Sequence, residues 1–95
     1  MGIEKIFDSR TKRELVKNIK LRDMLNENLY KEDLLFVINE PGQHNLYIFG
    51  RIKKLFTSRI EIQKAEQFPS GQYLLDKFEE YNIDNVIEVY RLPKK

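Results

Sequence analysis

Residues 45–56 read NLYIFGRIKKLF, and their side chains alternate between the two faces of an extended strand. One face is apolar and comprises Leu46, Ile48, Gly50 and Ile52. The other face is aromatic at one end and basic at the other, and comprises Tyr47, Phe49, Arg51 and Lys53. Because Gly50 has no side chain to pack, it indicates a bulge or a sharp bend in a small curved sheet.

Three further segments are predicted to be strands: residues 33–39, 59–64 and 86–92. Pro41 and Gly42 fit the two central positions of a type II turn, because glycine supplies the positive φ angle that the second position requires. Thr57 and Ser58 form the next turn. Strands 33–39, 45–56 and 59–64 are therefore expected to be antiparallel neighbours.

Two helices are predicted from capping residues and from the spacing of apolar side chains. Residues 11–14 read TKRE, a capping box in which Thr11 and Glu14 satisfy each other's free N–H groups, so the first helix begins there. Ser70 caps the second helix, which residues 82–85 end. The apolar stripe of the second helix comprises Leu74, Leu75, Phe78 and Tyr81.

The predicted fold class is α+β: a small, bent antiparallel sheet of about four strands, with an N-terminal helix and a second helix before the last strand. Two architectures satisfy this order, a small SH3-like or Sm-like barrel and an open four-stranded sheet covered by two helices. At 95 residues, the chain is expected to form a single domain over residues 1–95. We expect residues 1–10 and 93–95 to be less ordered.

The composition excludes several kinds of site and compartment. With no cysteine and one histidine, the chain has no disulfide scaffold, thiolate zinc site or cysteine nucleophile, and we expect no cofactor. The longest apolar run, residues 34–38, is too short to cross a bilayer, and residues 1–10 lack the apolar region of a signal peptide. We therefore expect no membrane partner and a location in the cytoplasm of a bacterial or archaeal cell or host. A single alanine beside many Ile, Asn and Lys residues indicates an AT-rich genome.

The net charge of +2 conceals segregation along the chain. Residues 1–22 carry +4, residues 23–50 carry −4, residues 51–64 carry +4, residues 65–90 carry −5 and residues 91–95 carry +3. In one arrangement, opposite blocks face each other and form surface ion pairs. In the other, the basic blocks share one face and steer a charged partner. The sequence allows both arrangements.

The main candidate site is the aromatic and basic face of residues 45–56 with its nearest cations. It comprises Tyr47, Phe49, Arg51, Lys53, Lys54 and Arg59. Surfaces of this kind bind single-stranded nucleic acid, because aromatic rings stack on bases while Arg and Lys meet phosphates. The alternative is that the two aromatics are core residues and the cations lie at the solvent-exposed end of the sheet.

Two other groups of charged residues can be explained either by a function or simply by exposure to solvent. The bases of the first helix either contact phosphates or form its solvated face, and they are Lys12, Arg13, Lys17 and Lys20. The acids on and after the second helix either mimic phosphates or are solvated, and they are Asp76, Glu79, Glu80 and Asp84.

His44 is the only histidine and lies beside the predicted turn. Together with Glu40 and Arg51 it is either the general base of a small RNase or an exposed turn residue. A lone histidine with no second ligand at a telling spacing does not indicate a metal site.

We therefore expect a small, non-enzymatic binding module whose ligand is RNA or single-stranded DNA. The alternative is a protein-interaction or regulatory protein of a phage, plasmid or other mobile element, acting on a protein partner. A homodimer is an easy way for so small a domain to bury more surface.

Overall fold

The structure, a computed structural model, describes residues 3–8, 27–69 and 71–92. Within these ranges the chain forms one antiparallel sheet of six strands in the order β1-β6-β2-β3-β4-β5. The strands are β1 (Glu4–Asp8), β2 (Leu34–Asn39), β3 (Asn45–Leu55), β4 (Arg59–Phe68), β5 (Gly71–Asn82) and β6 (Val86–Arg91). Two short 3₁₀ helices, Glu27–Lys31 and Ile83–Asn85, precede β2 and β6.

The long strand β3 is shared between two ladders. Its first half pairs with β2, ending at the pair Gly50–Leu34, and its second half pairs with β4, beginning at the pair Gly50–Lys64. A Cβ atom on Gly50 would lie 2.1 Å from the carbonyl oxygen of Gln63, so only glycine permits this approach of the two backbones. The register irregularity of β3 falls between Ile52 and Lys54, beyond Gly50.

The sheet is strongly curved, because a short connection joins strands that are far apart in the sheet order. Only residues Ile83–Asn85 connect β5 to β6, although β2, β3 and β4 lie between them. In a flat sheet the two strands would be about 19 Å apart, at roughly 4.8 Å for each neighbouring pair. The four peptide units from Asn82 to Val86 span at most about 14 Å. The sheet therefore curls round the face that carries the core.

The inner face of the curved sheet holds the hydrophobic core. Side chains from all six strands, from Leu29 and from Ile83 belong to one buried cluster. The most deeply buried of them include Phe36 in β2, Ile60 in β4 and Val89 in β6, which have no exposed surface. The inner faces of both β3 ladders contribute to the same cluster through Ile48, Ile52 and Ile62.

The predicted α+β class is wrong for the described part of the chain, which contains six strands and no α-helix. Residues 71–82, predicted to be a helix, form β5, and Ser70 lies outside the described residues. Of the four residues in the predicted apolar stripe, Tyr81 alone is buried, while Leu74 and Phe78 are exposed. The helical spacing of these residues therefore did not mark a buried helix face.

Both predicted architectures are also wrong. The sheet is not a closed barrel, because β1 and β5 form its two edges and do not pair with each other. Within the described ranges no helix pair covers it. The first predicted helix, beginning at Thr11, lies outside the described residues, as do residues 93–95. Strand β1 falls within residues 1–10, for which we expected less order.

The four segments predicted to be strands are strands in the structure. β4 continues past Lys64 to Phe68, because residues 65–68 find partners in β5. The predicted type II turn is also confirmed, since Gly42 has a φ angle of 77° and the N–H of Gln43 donates to the carbonyl of Glu40 at 3.1 Å. At the next turn, the N–H of Phe56 donates to the carbonyl of Arg59 at 2.8 Å.

Candidate interaction surfaces

The six candidate residues lie on the outer face of the sheet, away from the buried cluster. We call Tyr47, Phe49, Arg51, Lys53, Lys54 and Arg59 the aromatic–basic face. The Tyr47 side chain is 63% exposed, whereas Phe49 and Arg51 are half-buried. Lys53, Lys54 and Arg59 are exposed. Neither aromatic is part of the core cluster, so the alternative that both are core residues does not hold.

The aromatic half of this face continues across β2 to β6. Tyr47 lies opposite Val37, and Phe49 lies opposite Leu35, which in turn pairs with Tyr90. Tyr90 and Phe49 are half-buried, so Tyr47 is the aromatic side chain most open to a flat ligand at this end.

The basic half is partly neutralised by acids from other elements. The Arg51 Nε atom donates to Asp33 Oδ1 at 2.9 Å. The Arg59 Nε atom donates to Glu80 Oε1 at 2.9 Å. Lys53 is in no ion pair with any described residue, and the same holds for Lys54. Among the cations of the aromatic–basic face, the two lysines are therefore the most available to an external anion.

Phe78 joins this face from β5. Arg51 pairs with Gln63, and Gln63 pairs with Phe78, so the three side chains share one row across the sheet. The Lys53 Nζ atom lies 5.7 Å from the centroid of the Phe78 ring, within the range of a cation–π contact. Sequence reasoning missed Phe78 because it placed this residue on a helix. Reading Pro69 and Gly71 as a turn between two strands would have placed it on the sheet.

The ion pairs follow the charge blocks of the sequence. Arg51 in the basic block 51–64 pairs with Asp33 in an acidic block, and Arg59 and Lys64 pair with Glu80 and Glu79 in the next. Opposite blocks therefore face each other here, as in the neutralised arrangement. The described ranges contain nine Lys and Arg residues and thirteen Asp and Glu residues, so the sheet itself carries an excess of acids.

A polar cluster lies where β4 and β5 separate from β3. The hydrogen bond from Lys64 holds the pKa of Glu79 below its ordinary value. Burial, followed by the negative charges of Glu79 and Glu40, raises the pKa of Tyr81 to about 12. Tyr81 is therefore neutral at physiological pH and supplies no activated phenolate.

The other candidate groups named from the sequence do not form sites among the described residues. Arg51 is held by Asp33, Glu40 accepts a hydrogen bond from Asn85 at 3.1 Å, and His44 is exposed in the turn before β3. The acidic residues Glu79 and Glu80 are each paired with a base. The bases predicted for the first helix lie outside the described residues.

Beyond Lys64, β4 and β5 continue as a two-stranded ribbon. We call residues 65–68 and 71–74 the distal ribbon; they pair with each other, and β3 pairs with β4 only as far as Lys64. At its base, β5 has a bulge in which residues 75–77 lie between the pairs Gln63–Phe78 and Ala65–Leu74. The side-chain amide of Gln63 donates to the carbonyl of Leu75 at 3.0 Å and holds this bulge in place.

The distal ribbon exposes apolar side chains. The rings of Phe68 and Tyr73 meet edge to face with centroids 5.1 Å apart, and they remain 41% and 53% exposed. Leu74 on the opposite face is 40% exposed. Residues 71–75 of β5 carry no charge, whereas residues 76–80 include four charged residues. The outer edge of β5 pairs with no other described strand.

Comparison of the chain with known protein families, curated proteins and solved structures finds no match. Among the described residues, no helix is long and apolar enough to span a membrane. The same residues contain no group of three or more His, Asp or Glu side chains placed to hold a metal ion. The function is therefore argued from the two surfaces themselves.

Proposed function

We propose that the protein binds single-stranded nucleic acid, without catalysis, across the aromatic–basic face and Phe78. The observation that supports this proposal most directly is the exposure of Tyr47 on the same strand face as Lys53, which has no ion-pair partner among the described residues. An exposed aromatic ring can stack on a base, and ammonium groups on the same strand that are in no ion pair can bind the phosphates.

The spacing along β3 suits an extended strand of nucleotides. Tyr47 and Phe49 are two residues apart, and successive side chains on one strand face are about 6.6 Å apart. Stretched single strands place their bases at comparable intervals, so Tyr47 stacks on one base and the edge of Phe49 contacts the next. Lys53 and Lys54 then meet phosphates farther along β3.

The ion pairs determine how strongly binding depends on salt. Arg51 and Arg59 already contact carboxylates, so Lys53 and Lys54 supply the phosphate contacts. For a single strand, each neutralised phosphate contributes about −0.7 to the slope of log affinity against log salt, which gives about −1.4 for two contacts. If all four cations contacted phosphates, the slope would be about −2.8.

The test is fluorescence anisotropy with labelled ten-nucleotide oligouridine and oligothymidine, using full-length protein. Tyr47→Ala weakens binding about 5- to 150-fold, because one stacked base contributes roughly 1–3 kcal/mol. The matched control is Tyr73→Ala, which removes a ring of similar exposure from the distal ribbon and leaves affinity unchanged. Thermal unfolding of each variant checks that the fold is intact.

A charge test is independent of the stacking test. Reversing Lys53 and Lys54 together to Glu abolishes measurable binding, whereas reversing the exposed Lys31 in the 3₁₀ helix before β2 causes a smaller, salt-sensitive loss. Equal losses per reversed charge in the two variants would show that binding follows net charge alone. Full affinity in the Lys53/Lys54 variant would overturn the proposal.

The second candidate function is binding of a protein partner, as a regulatory protein of a phage, plasmid or mobile element would do. The observation that favours it is the uncharged stretch of β5 at residues 71–75, on a strand whose outer edge pairs with no other described strand, so that an extended segment of another chain can be added there. Backbone hydrogen bonds provide affinity in this mode, so binding depends little on salt. A salt slope near zero for a purified protein partner, with no binding of either oligonucleotide, would favour this function over the first.

A further inference from the structure

We propose that Arg51 contacts the edge of one base in the bound single strand and selects a base with two adjacent hydrogen-bond acceptors, as guanine has at O6 and N7. Asp33 is the positioning residue that orients the Arg51 side chain for this contact. The inference rests on the proposed nucleic-acid function, because it assigns a role to one residue of the aromatic–basic face. It adds a base preference to a surface whose stacking and phosphate contacts accept any sequence.

The position of Asp33 beside Arg51 follows from the register of β2 and β3. Leu34 pairs with Gly50 in this ladder, so Asp33 and Arg51 are the next opposed residues beyond that pair. The backbone carbonyl of Asp33 accepts a hydrogen bond from the N–H of Leu92 at 3.2 Å, which fixes the backbone at this point. The carboxylate that holds Arg51 is therefore attached to a backbone position that the sheet holds in place.

The Arg51 guanidinium is held at one of its nitrogen atoms. The Nε atom donates to Asp33 Oδ1 at 2.9 Å, and neither Nη1 nor Nη2 donates to any described residue. The Arg51 side chain is 36% exposed, which leaves part of it accessible to a ligand. A guanidinium is planar and carries its N–H donors in a fixed fork. The hydrogen bond at Nε therefore also restricts the direction of the two remaining nitrogen atoms.

Arg59 is the other arginine of the aromatic–basic face, and it is held differently. Its Nε atom donates to Glu80 Oε1 at 2.9 Å, and its Nη2 atom donates to the backbone carbonyl of Glu80 at 3.3 Å. Two guanidinium nitrogens of Arg59 are therefore engaged within the chain, against one in Arg51. Arg51 is consequently the arginine of this face that can present Nη1 and Nη2 side by side to a ligand.

Arg51 lies between a stacking residue and a phosphate-binding residue on one face of β3. Phe49 precedes it by two residues and Lys53 follows it by two, so each is about 6.6 Å away along the strand. A base in contact with the Phe49 ring therefore has its edge within reach of Arg51, while the backbone of the bound strand continues to Lys53. The carboxylate of Asp33 balances the Arg51 charge and repels a phosphate, which favours an uncharged base as the ligand of Arg51.

Two parallel N–H donors distinguish the bases by the order of donors and acceptors on their edges. Guanine presents O6 and N7 side by side, and an arginine fork contacts both. Adenine has the donor N6 beside N7, and uracil and thymine have the donor N3 beside O4. Cytosine presents two neighbouring acceptors, N3 and O2, on its Watson–Crick edge, which is open in a single strand. The shared chemistry is therefore a pair of adjacent acceptors, and the experiment separates guanine from cytosine as its source.

The test compares ten-nucleotide oligothymidines that differ in one central base, by fluorescence anisotropy with full-length protein. The oligonucleotide with guanine is expected to bind about 5- to 150-fold more tightly than the one with adenine, which controls for purine stacking alone. Replacing guanine by 7-deazaguanine, which lacks the N7 acceptor, is expected to remove this gain. If cytosine gives the gain and guanine does not, the base is bound through N3 and O2. Equal affinities for guanine, cytosine and adenine would overturn the inference.

Two arginine variants attribute the preference to one side chain. Arg51→Lys retains the positive charge but not the fork of donors, so it is expected to bind unsubstituted oligothymidine as before and to lose the preference for guanine. Arg59→Lys is the matched control, because it makes the same change at the other arginine of the face, and it leaves the preference unchanged. A preference that persists in Arg51→Lys would contradict the role of Arg51.

Asp33→Asn tests the positioning role with a measurement that a purely structural role would not change. The Arg51 charge is no longer balanced in this variant and adds one phosphate contact. The salt slope for oligothymidine is therefore expected to steepen from about −1.4 to about −2.1, while the preference for guanine falls. An unchanged slope and an unchanged preference would overturn the role of Asp33.

The outcomes separate this inference from the function on which it rests. Binding of oligothymidine that depends on Tyr47 but shows no base preference would overturn the role of Arg51 and leave the nucleic-acid proposal intact. Absence of binding to every oligonucleotide, with the fold shown intact by thermal unfolding, would overturn both.

Discussion

The curved part of the sheet and the distal ribbon are both made of paired antiparallel strands, but they differ in what their side chains do. In the curved part, one face of every strand contributes to a common core that includes Phe36 and Ile60. In the distal ribbon, Phe68, Tyr73 and Leu74 are all exposed. An isolated two-stranded ribbon is at most marginally stable in water. The difference shows that backbone pairing alone does not explain the ribbon, and that its apolar side chains are available for contacts with another molecule.

The largest expected difference between the two regions comes from removing one phenylalanine ring from each. Phe36→Ala deletes a fully buried ring and is expected to lower the free energy of unfolding by about 3–5 kcal/mol. Phe68→Ala in the distal ribbon is expected to lower it by less than about 1 kcal/mol, because this residue is 41% exposed and lies outside the buried cluster. Urea denaturation at low protein concentration measures both. Equal losses of unfolding free energy would show that Phe68 contributes to stability as much as a residue of the buried cluster does.

The close approach at Gly50 provides a second comparison within the curved part. Gly50→Ala is expected to lower stability by about 2–3 kcal/mol, because the new methyl group meets the Gln63 carbonyl and the two ladders must separate. Gly42→Ala is the matched control. Its site has no atom within 4 Å of the new methyl group but has a positive φ angle, so the expected loss is only about 1 kcal/mol. A smaller loss at Gly50 than at Gly42 would contradict the account of the shared strand.

The buried Tyr81 predicts a loss of stability at alkaline pH. Its pKa is about 12 in the folded protein and 10.0 in an unperturbed tyrosine, so the folded state retains the proton over this interval. The stabilisation is fully present below pH 10 and is lost as the pH rises through 12. The difference in unfolding free energy between wild type and Tyr81→Phe is expected to shrink by about 2 kcal/mol over that window. A difference that does not change with pH would show that Tyr81 is not desolvated.

The smallest expected effect lies at the junction of the two regions. The Lys64 ammonium lowers the pKa of Glu79, so this carboxylate contributes stability above its ordinary pKa of 4.5 that is lost as the pH falls below it. Both side chains are partly exposed, and the contribution is expected to be below about 1 kcal/mol. Glu79→Gln should therefore flatten the acid limb of the stability curve slightly, and Lys64→Met should do the same. If the acid limb of the stability curve is unchanged in both variants, the Lys64–Glu79 ion pair does not contribute to stability.

The difference between the curved part of the sheet and the distal ribbon also explains which parts of the fold could be predicted from the sequence. In β2, β3 and β6, one or both faces are buried. The pattern of apolar residues, such as those flanking Phe36, therefore indicates a strand. The turn at Gly42 was predictable because its φ angle requires glycine. Strand β5 was not predictable by periodicity, because its outer and distal residues do not pack on a core. Leu74 and Phe78 are four residues apart, a spacing that places two side chains on one face in a helix and in a strand alike, so it did not separate the two.

For the candidate site, alternation along β3 predicted which side chains share a face but not what surrounds them. The outward direction of Tyr47 and Lys53 follows from the two-residue repeat of a strand. The carboxylate that holds Arg51 comes from Asp33, and the one that holds Arg59 comes from Glu80. Such ion-pair partners depend on the register between strands, and the residue pattern of one strand does not predict that register.

The position of β6 between β1 and β2 has a consequence for the protein's biosynthesis. Strands β2 to β5 are joined by short turns and can pair with one another as each leaves the ribosome. The other edge of β2, however, finds its partner only in β6, where Leu34 pairs with Arg91. Until residues 86–91 have been synthesised, the nascent chain presents an open apolar strand edge, the kind of surface that aggregates or recruits a chaperone. Addition of this one late strand therefore converts an association-prone intermediate into a folded domain.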